Sequence, residues 1–145
     1  MSAKSGRKAS RALDQASYER LAEFRYVLRH FLIFSENAAL AAGLSAQQHQ
    51  ALLAIKASRE PARMTAGELA ERLGVRHHSA VGLLDRLARK ALIRRQRDPG
   101  DRRRVLIILT AKAERLLAQL SAAHHRELRR VAPVLRGLLN DLARR

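Results

Sequence analysis

The sequence predicts a mainly α-helical domain interrupted by one small β-hairpin. Three observations carry that prediction. Aliphatic residues recur at three- and four-residue spacing along most of the chain, the period of helices with a buried stripe. Ser45, Thr65 and Thr110 stand where helices would begin, and Gly43 and Gly74 where helices would end. Residues 94–110, RRQRDPGDRRRVLIILT, read as two strands about a tight turn. With 145 residues, 47% of them apolar, a single domain with its own core is expected.

The chain holds 29 Lys and Arg against 13 Asp and Glu, a formal net charge of +16. That balance selects anionic partners, nucleic acid first and an anionic membrane surface second. There is no cysteine, which removes disulfides, cysteine-ligated zinc and thiol sensing. No stretch approaches the roughly 20 apolar residues of a membrane span. Residues 1–12, MSAKSGRKASRA, lack the apolar segment of a secretory signal and are expected to form a disordered basic arm. The aromatics Tyr18, Phe24, Tyr26, Phe31 and Phe34 all fall in one early segment, and none neighbours the arginines. Proteins that hold single strands stack bases on aromatics beside a basic groove. Duplex DNA, met through phosphates and groove edges, fits this sequence better.

The remaining residues, 13–145, are expected to act as one domain. Residues 14–42 carry a helical stripe of Leu21, Phe24, Leu28, Phe31 and Leu32, with Tyr26, Val27, Ile33 and Phe34 on the opposite side. A helix apolar all round is covered on both sides, and a second copy of the chain is the natural cover. The next helix, 45–59, turns Ala51, Leu52 and Ile55 inward and is stopped by Pro61. Thr65 and Glu68 form a capping-box pattern at the head of TAGELAERLG. The segment RHHSAVGLLDRLARKALI then places Ala80, Leu84, Leu87 and Ala91 on one face. Two short helices joined by a Gly-containing turn, the second polar outside, follow the helix-turn-helix plan. Residues 92–97 and 104–109 supply the hairpin strands, with Asp98-Pro99-Gly100-Asp101 as the turn. Six arginines ring that turn and Val105–Leu109 root it, so the hairpin is a basic finger on an apolar stalk, a wing. A further helix runs from Thr110 to about Arg130. Pro133 is expected to break it and to open a last helix bearing Val134, Leu135, Leu138, Leu139 and Leu142.

This order of elements, with MTAGELAERLGVRHHSAVGLLDRLARKALIRRQRDPGDRRRVLIILT at 64–110, resembles the MarR family of bacterial winged helix-turn-helix regulators. The resemblance extends across nearly all of the chain after the basic arm. It implies a cytoplasmic homodimer held by residues 13–43 and 111–145, with residues 45–110 as the DNA-binding lobe. It further implies a repressor on a pseudo-palindromic operator, released in some members by a small ligand. Two positions depart from the family's pattern, Ala91 and Ala113, where glycine often stands. Alanine in a left-handed cap is strained by roughly 1 kcal/mol, so the helix before Ala91 is expected to end differently or to run on.

Site residues follow from the residue types and from the resemblance. Arg76, His77, His78 and Ser79 are the candidates to enter the major groove, Arg reading guanine and Ser holding a phosphate. Gly82 would allow close approach. Arg86, Arg102 and Arg104 are assigned to phosphates. Asp101 and Arg103 match the Asp-x-Arg pattern of the family's wing tip, where the resemblance sends Arg103 into the minor groove and leaves Asp101 to orient it. Asp85 is expected to pair with a wing arginine rather than face DNA. Phe24, Phe31, His49 and Leu52 are candidates for an effector pocket, with ordinary core packing as the alternative. No metal or cofactor is expected: His77-His78 and His124-His125 are adjacent pairs, the wrong spacing for one zinc, although His30 or His49 can converge with His124 or His125 across helices. No phosphate loop, zinc-protease motif or nucleophile elbow suggests an enzyme. The competing functions are an architectural DNA-binding protein acting through charge and, from another class, a helical module for protein or membrane surfaces.

Overall fold

The computed structural model describes residues 12–58 and 64–144. These form helices α1 (Gln15–Ala41), α2 (Ala46–Ala57), α3 (Ala66–Leu73) and α4 (His77–Arg89), strands β1 (Ile93–Arg97) and β2 (Val105–Leu109), and helix α5 (Ala111–Ala143). Pro61 and all of the basic arm but Ala12 lie outside the described residues.

Local chemistry sets most boundaries. Asp14 accepts the Ser17 N–H at 2.9 Å and Thr110 the Ala113 N–H at 3.2 Å, opening α1 and α5. Ser45 with Gln48, and Thr65 with Glu68, close reciprocal capping boxes on α2 and α3. Gly43, at φ 81°, ends α1: its N–H reaches the Leu40 carbonyl at 3.0 Å and the Leu44 N–H reaches Ala39 at 2.9 Å. That pattern needs a left-handed residue, which glycine accepts without a Cβ clash.

The end of α4 departs from expectation. Ala91 adopts the left-handed conformation at φ 56°. Its N–H bonds to Ala88 at 2.9 Å, and the Leu92 N–H bonds to Leu87 at 3.0 Å. The turn delivers Leu92 and Ile93 into the core, and burying each stabilises by about 1.5–3 kcal/mol. Together these outweigh a left-handed penalty of about 1–2 kcal/mol. Ala91 consequently leaves the apolar face and is exposed; Leu83 joins Ala80, Leu84 and Leu87 there instead. Ala91→Gly is expected to stabilise the protein by on the order of 0.5 kcal/mol, because relief of strain exceeds glycine's extra backbone entropy of about 0.5–1 kcal/mol. A denaturant midpoint that falls in this variant would contradict the strain.

β1 and β2 pair antiparallel with Ile93 opposite Leu109 and Arg97 opposite Val105. Met64 adds a short edge contact, its carbonyl accepting the Ile107 N–H at 2.7 Å. The hairpin root, through Ile107 and Leu109, joins Leu52, Ile55, Leu69 and Leu117 in one core that unites α2–α5 and the hairpin.

The break expected at Pro133 does not occur, and α5 continues through it. Proline removes one N–H and crowds the carbonyl four residues back. Both Pro133 and Arg129, which owns that carbonyl, are exposed, so the lost bond is not sealed in a core. Along α1, Val27 and Ala39 are buried while Leu28, Ile33 and Leu40 are exposed and Leu32 is 61% exposed. On α5, Leu128, Val134 and Leu139 are exposed as well. Among the described residues nothing covers this apolar surface.

Candidate nucleic-acid interface

α4 differs from the other helices at its start. Its N-cap is Arg76, which makes no side-chain cap bond; like α1 and α2 it also has no acid in its first turn. The Ser79 and Ala80 N–H groups return to the Arg76 carbonyl at 3.0 and 3.1 Å. The positive end of the helix therefore adds to the charge of Arg76 instead of being quenched by a capping oxygen. His77, His78 and Ser79 are all exposed on that first turn. An anionic oxygen placed there would find backbone donors, a guanidinium and a hydroxyl together.

Further along the same helix, Arg86 lies over Gly82. A Cβ added at Gly82 would meet the Arg86 Nη1 at 3.7 Å, an ordinary contact. Asp85, also exposed, is held by Arg95 of β1 at 2.6 Å. Exposed pairs contribute about 0–1 kcal/mol. The value of this one is geometric, since it ties the hairpin to the outer face of α4.

The turn organises its backbone with its own acids. Asp98 Oδ1 accepts the Gly100 N–H at 2.8 Å, and Asp101 Oδ1 accepts the Arg103 N–H at 3.1 Å. Asp101 thus acts on the backbone of Arg103. Arg97 Nη1 donates to the Arg102 carbonyl at 3.3 Å, bracing the tip from behind. The Arg102 and Arg103 side chains are left exposed at the end of the finger. Arg104 points elsewhere: its Nη2 donates to Glu68 Oε1 at 2.8 Å, while Glu68 Oε2 accepts the Thr65 N–H at 3.0 Å. Glu68 therefore serves the α3 cap and the hairpin at once, and pairs with Arg104 rather than with Arg72 one turn along its helix.

The four effector candidates sit in different surroundings. Leu52 is wholly buried in the core. Phe24 is half-buried on α1. A cavity of about 230 Å³ opens between α1 and the second half of α5, and of the four only Phe31 lines it, with Tyr26, His30, Glu127 and Arg130 among its neighbours. His49 instead packs against His124 of α5, ring centroids 4.9 Å apart, with Phe31 and Phe34 edge-on to His124 at 6.0 and 5.5 Å. His124 Nδ1 lies 2.6 Å from the Leu120 carbonyl and Nε2 lies 2.7 Å from Ser35 Oγ. A carbonyl only accepts, so Nδ1 carries the proton and, in the neutral ring, Nε2 accepts from Ser35. Ser35, Phe34 and His124 were not among the effector candidates, because they meet His49 only through the packing of three helices.

Burial, and then the neighbouring His124, hold the His49 pKa below its ordinary value. The unfolded chain thus binds more protons than the folded one near and below pH 6.5, and stability rises with pH there. What neutral His49 contributes is present above about pH 6.5 and is lost as pH falls toward its lowered folded value. His49→Leu is expected to flatten the fall in melting temperature between about pH 7 and 5; a variant with the wild-type slope would contradict this.

Among the described residues no helix is long and apolar enough to cross a membrane. A family model described as the MarR family matches residues 42–104, from the end of α1 to the base of β2. The chain is 36% identical over 94 residues to YcgE, an uncharacterized HTH-type transcriptional regulator of Bacillus subtilis. That match covers 64% of this chain and 59% of YcgE, so the chain spans less than two thirds of that relative's length. Its fold is similar to a MepR mutant from S. aureus bound to an oligodeoxyribonucleotide, with TM-score 0.67, 21% identity and coverage of 91% of this chain and 92% of the other. It is also similar to CouR of Rhodococcus jostii RHA1 bound to p-coumaroyl-CoA, with TM-score 0.68, 24% identity and coverage of 90% and 96%.

Proposed function

From the match of a MarR-family model to residues 42–104, we propose that the chain is a MarR-like homodimeric regulator of transcription that binds a specific duplex sequence. The observation that carries this reading is the uncapped, acid-free start of α4, presented beside an exposed arginine finger. Residues 45–110 act as the DNA lobe. Arg76, His77 and His78 meet base edges in the major groove, and Ser79 and Arg86 hold phosphates. Arg103 enters the minor groove and Arg102 takes a flanking phosphate. Arg104 reaches a phosphate by exchanging its exposed bond to Glu68, an exchange of small cost. Asp85 and Asp101 orient the wing through Arg95 and through the Arg103 backbone. Residues 13–43 and 111–145 pair with those of a second copy, covering Leu28, Leu32, Val134 and Leu139. The dimer acts in the cytoplasm as a repressor on a pseudo-palindrome with half-sites about one helical turn apart. Release by a small ligand is the regulatory step, by analogy with CouR, whose structure holds p-coumaroyl-CoA.

A second reading draws on the net charge of +16: architectural binding with little sequence preference. Fluorescence anisotropy against the chain's own upstream DNA and a scrambled duplex, at about 150 mM salt, separates the two. A preference of about 1000-fold or more supports the regulator. Equal affinities that collapse together with salt favour the architectural protein, and selection from random sequence then shows whether an operator exists elsewhere.

A further inference from the structure

α1 ends without a basic residue in its last turn, although the C-terminal end of a helix attracts a cation. The cation arrives from another part of the fold. Lys90, the C-cap of α4, donates from Nζ to the Gly43 carbonyl at 2.6 Å across 47 residues of sequence. The same ammonium donates to Gln48 Oε1 at 3.0 Å. Gln48 is buried, and its Oε1 also accepts the Ser45 N–H at 3.0 Å. Lys90 therefore joins the end of α4 to the closed corner between α1 and α2. The arrangement repeats on the other side. Lys112, in the first turn of α5, donates to the Lys90 carbonyl at 2.9 Å, and the Thr110 hydroxyl takes the adjoining Ala91 carbonyl at 2.7 Å. Each lysine bonds a carbonyl at or just beyond the C-terminal end of a helix other than its own.

We propose that Lys90 and Lys112 are positioning residues that set the angle of α4 against α1 and α5. The proposal rests on the DNA-binding reading above and adds residues that the interface itself does not contain. Apolar packing of Leu83, Leu84 and Leu87 is non-directional and tolerates a small roll of the helix. Hydrogen bonds from an ammonium are directional and roughly twice as strong as neutral ones. They bracket Ala91, whose left-handed backbone lies at the joint. A roll of α4 would move Arg76, His78 and Arg86 together and misplace them against a fixed half-site. Lys90, although exposed, thus directs its ammonium to oxygen atoms of the protein itself.

The test compares Lys90→Met, Lys112→Met and Lys90→Arg with wild type on an operator selected by wild type from random sequence, and on a scrambled duplex, across a salt series. Lys90→Met is expected to weaken operator binding about tenfold. Binding to the scrambled duplex and the slope of log Kd against log salt should stay as in wild type, and Lys90→Arg should restore affinity. Equal loss on both duplexes with a slope shallower by about one unit would identify a phosphate contact and overturn the proposal. Wild-type operator affinity in both methionine variants would overturn it while leaving the DNA reading intact. A wild type that selects no sequence would remove the DNA reading and this proposal with it. If Lys90→Met does not fold, Lys112→Met decides, with the same loss expected.

Discussion

Arg103→Ala is expected to weaken binding to a selected operator by roughly 10- to 100-fold, or about 1–3 kcal/mol. The size follows from placement. Arg103 stands exposed at the turn of the hairpin, and its backbone is already fixed by Asp101 Oδ1 at 3.1 Å. Little order remains to be imposed on the main chain when the guanidinium enters a narrow groove, where the negative potential is strongest. Stability should be unchanged, since the side chain supports no core contact. Asp101→Ala is the informative companion. It leaves the guanidinium but frees the backbone, so it should weaken binding by less than Arg103→Ala does. Anisotropy titration measures both, and an Arg103→Ala protein that holds its operator as wild type does would end the assignment of the wing tip to DNA.

Leu84→Ala should cost about 2–5 kcal/mol of stability. Leu84 is 1% exposed and stands within the core shared by the other helices of the lobe and the hairpin root. Truncation removes apolar contact and leaves a hole whose walls belong to several elements, so no single one can close it. Against a total stability of about 5–15 kcal/mol, the variant should melt lower by on the order of 10 °C. Operator affinity should fall with it, because Leu84 supports α4 from the side opposite Arg76 and His78. A melting temperature within about 2 °C of wild type would mean that this core relaxes around the gap, and that the lobe is less tightly packed than the burial of Leu84 indicates.

Ser45, Thr65, Thr110, Gly43 and Gly74 were readable as helix boundaries because each acts on backbone groups within a few residues of itself. The hairpin was readable for the same reason: Asp98, Gly100 and Asp101 fold their own turn, and the Ile93–Leu109 register follows from it. Pro133 misled because proline reports only on its own peptide; whether a helix survives it depends on how exposed the freed carbonyl is. Ala91 misled because its local cost is real but is outweighed by the burial of Leu92 and Ile93. Among the candidate site residues, their places on α4 and the wing were legible and their partners were not. Asp85 was assigned a wing arginine without saying which, and the effector candidates Phe31 and His49 meet through His124 of α5, a partner that the sequence did not single out for the pocket.

From the order of residues follow the helical segments, the hairpin, the surplus of positive charge and the resemblance to a family of DNA-binding regulators. The segments and the hairpin rest on periodicity and caps, which act over a turn or two of chain, the charge rests on composition, and the resemblance on the motif series at 64–110. The fold then decides which charges are free. Arg95 and Arg104 belong to the same arginine cluster as Arg103, yet one is drawn to Asp85 and the other to Glu68. Lys90 reaches Gly43, and His124 reaches Ser35 across 89 residues. Such partners are chosen by packing, because a side chain's bonding range is a few ångströms and only the folded core sets which distant groups come within it.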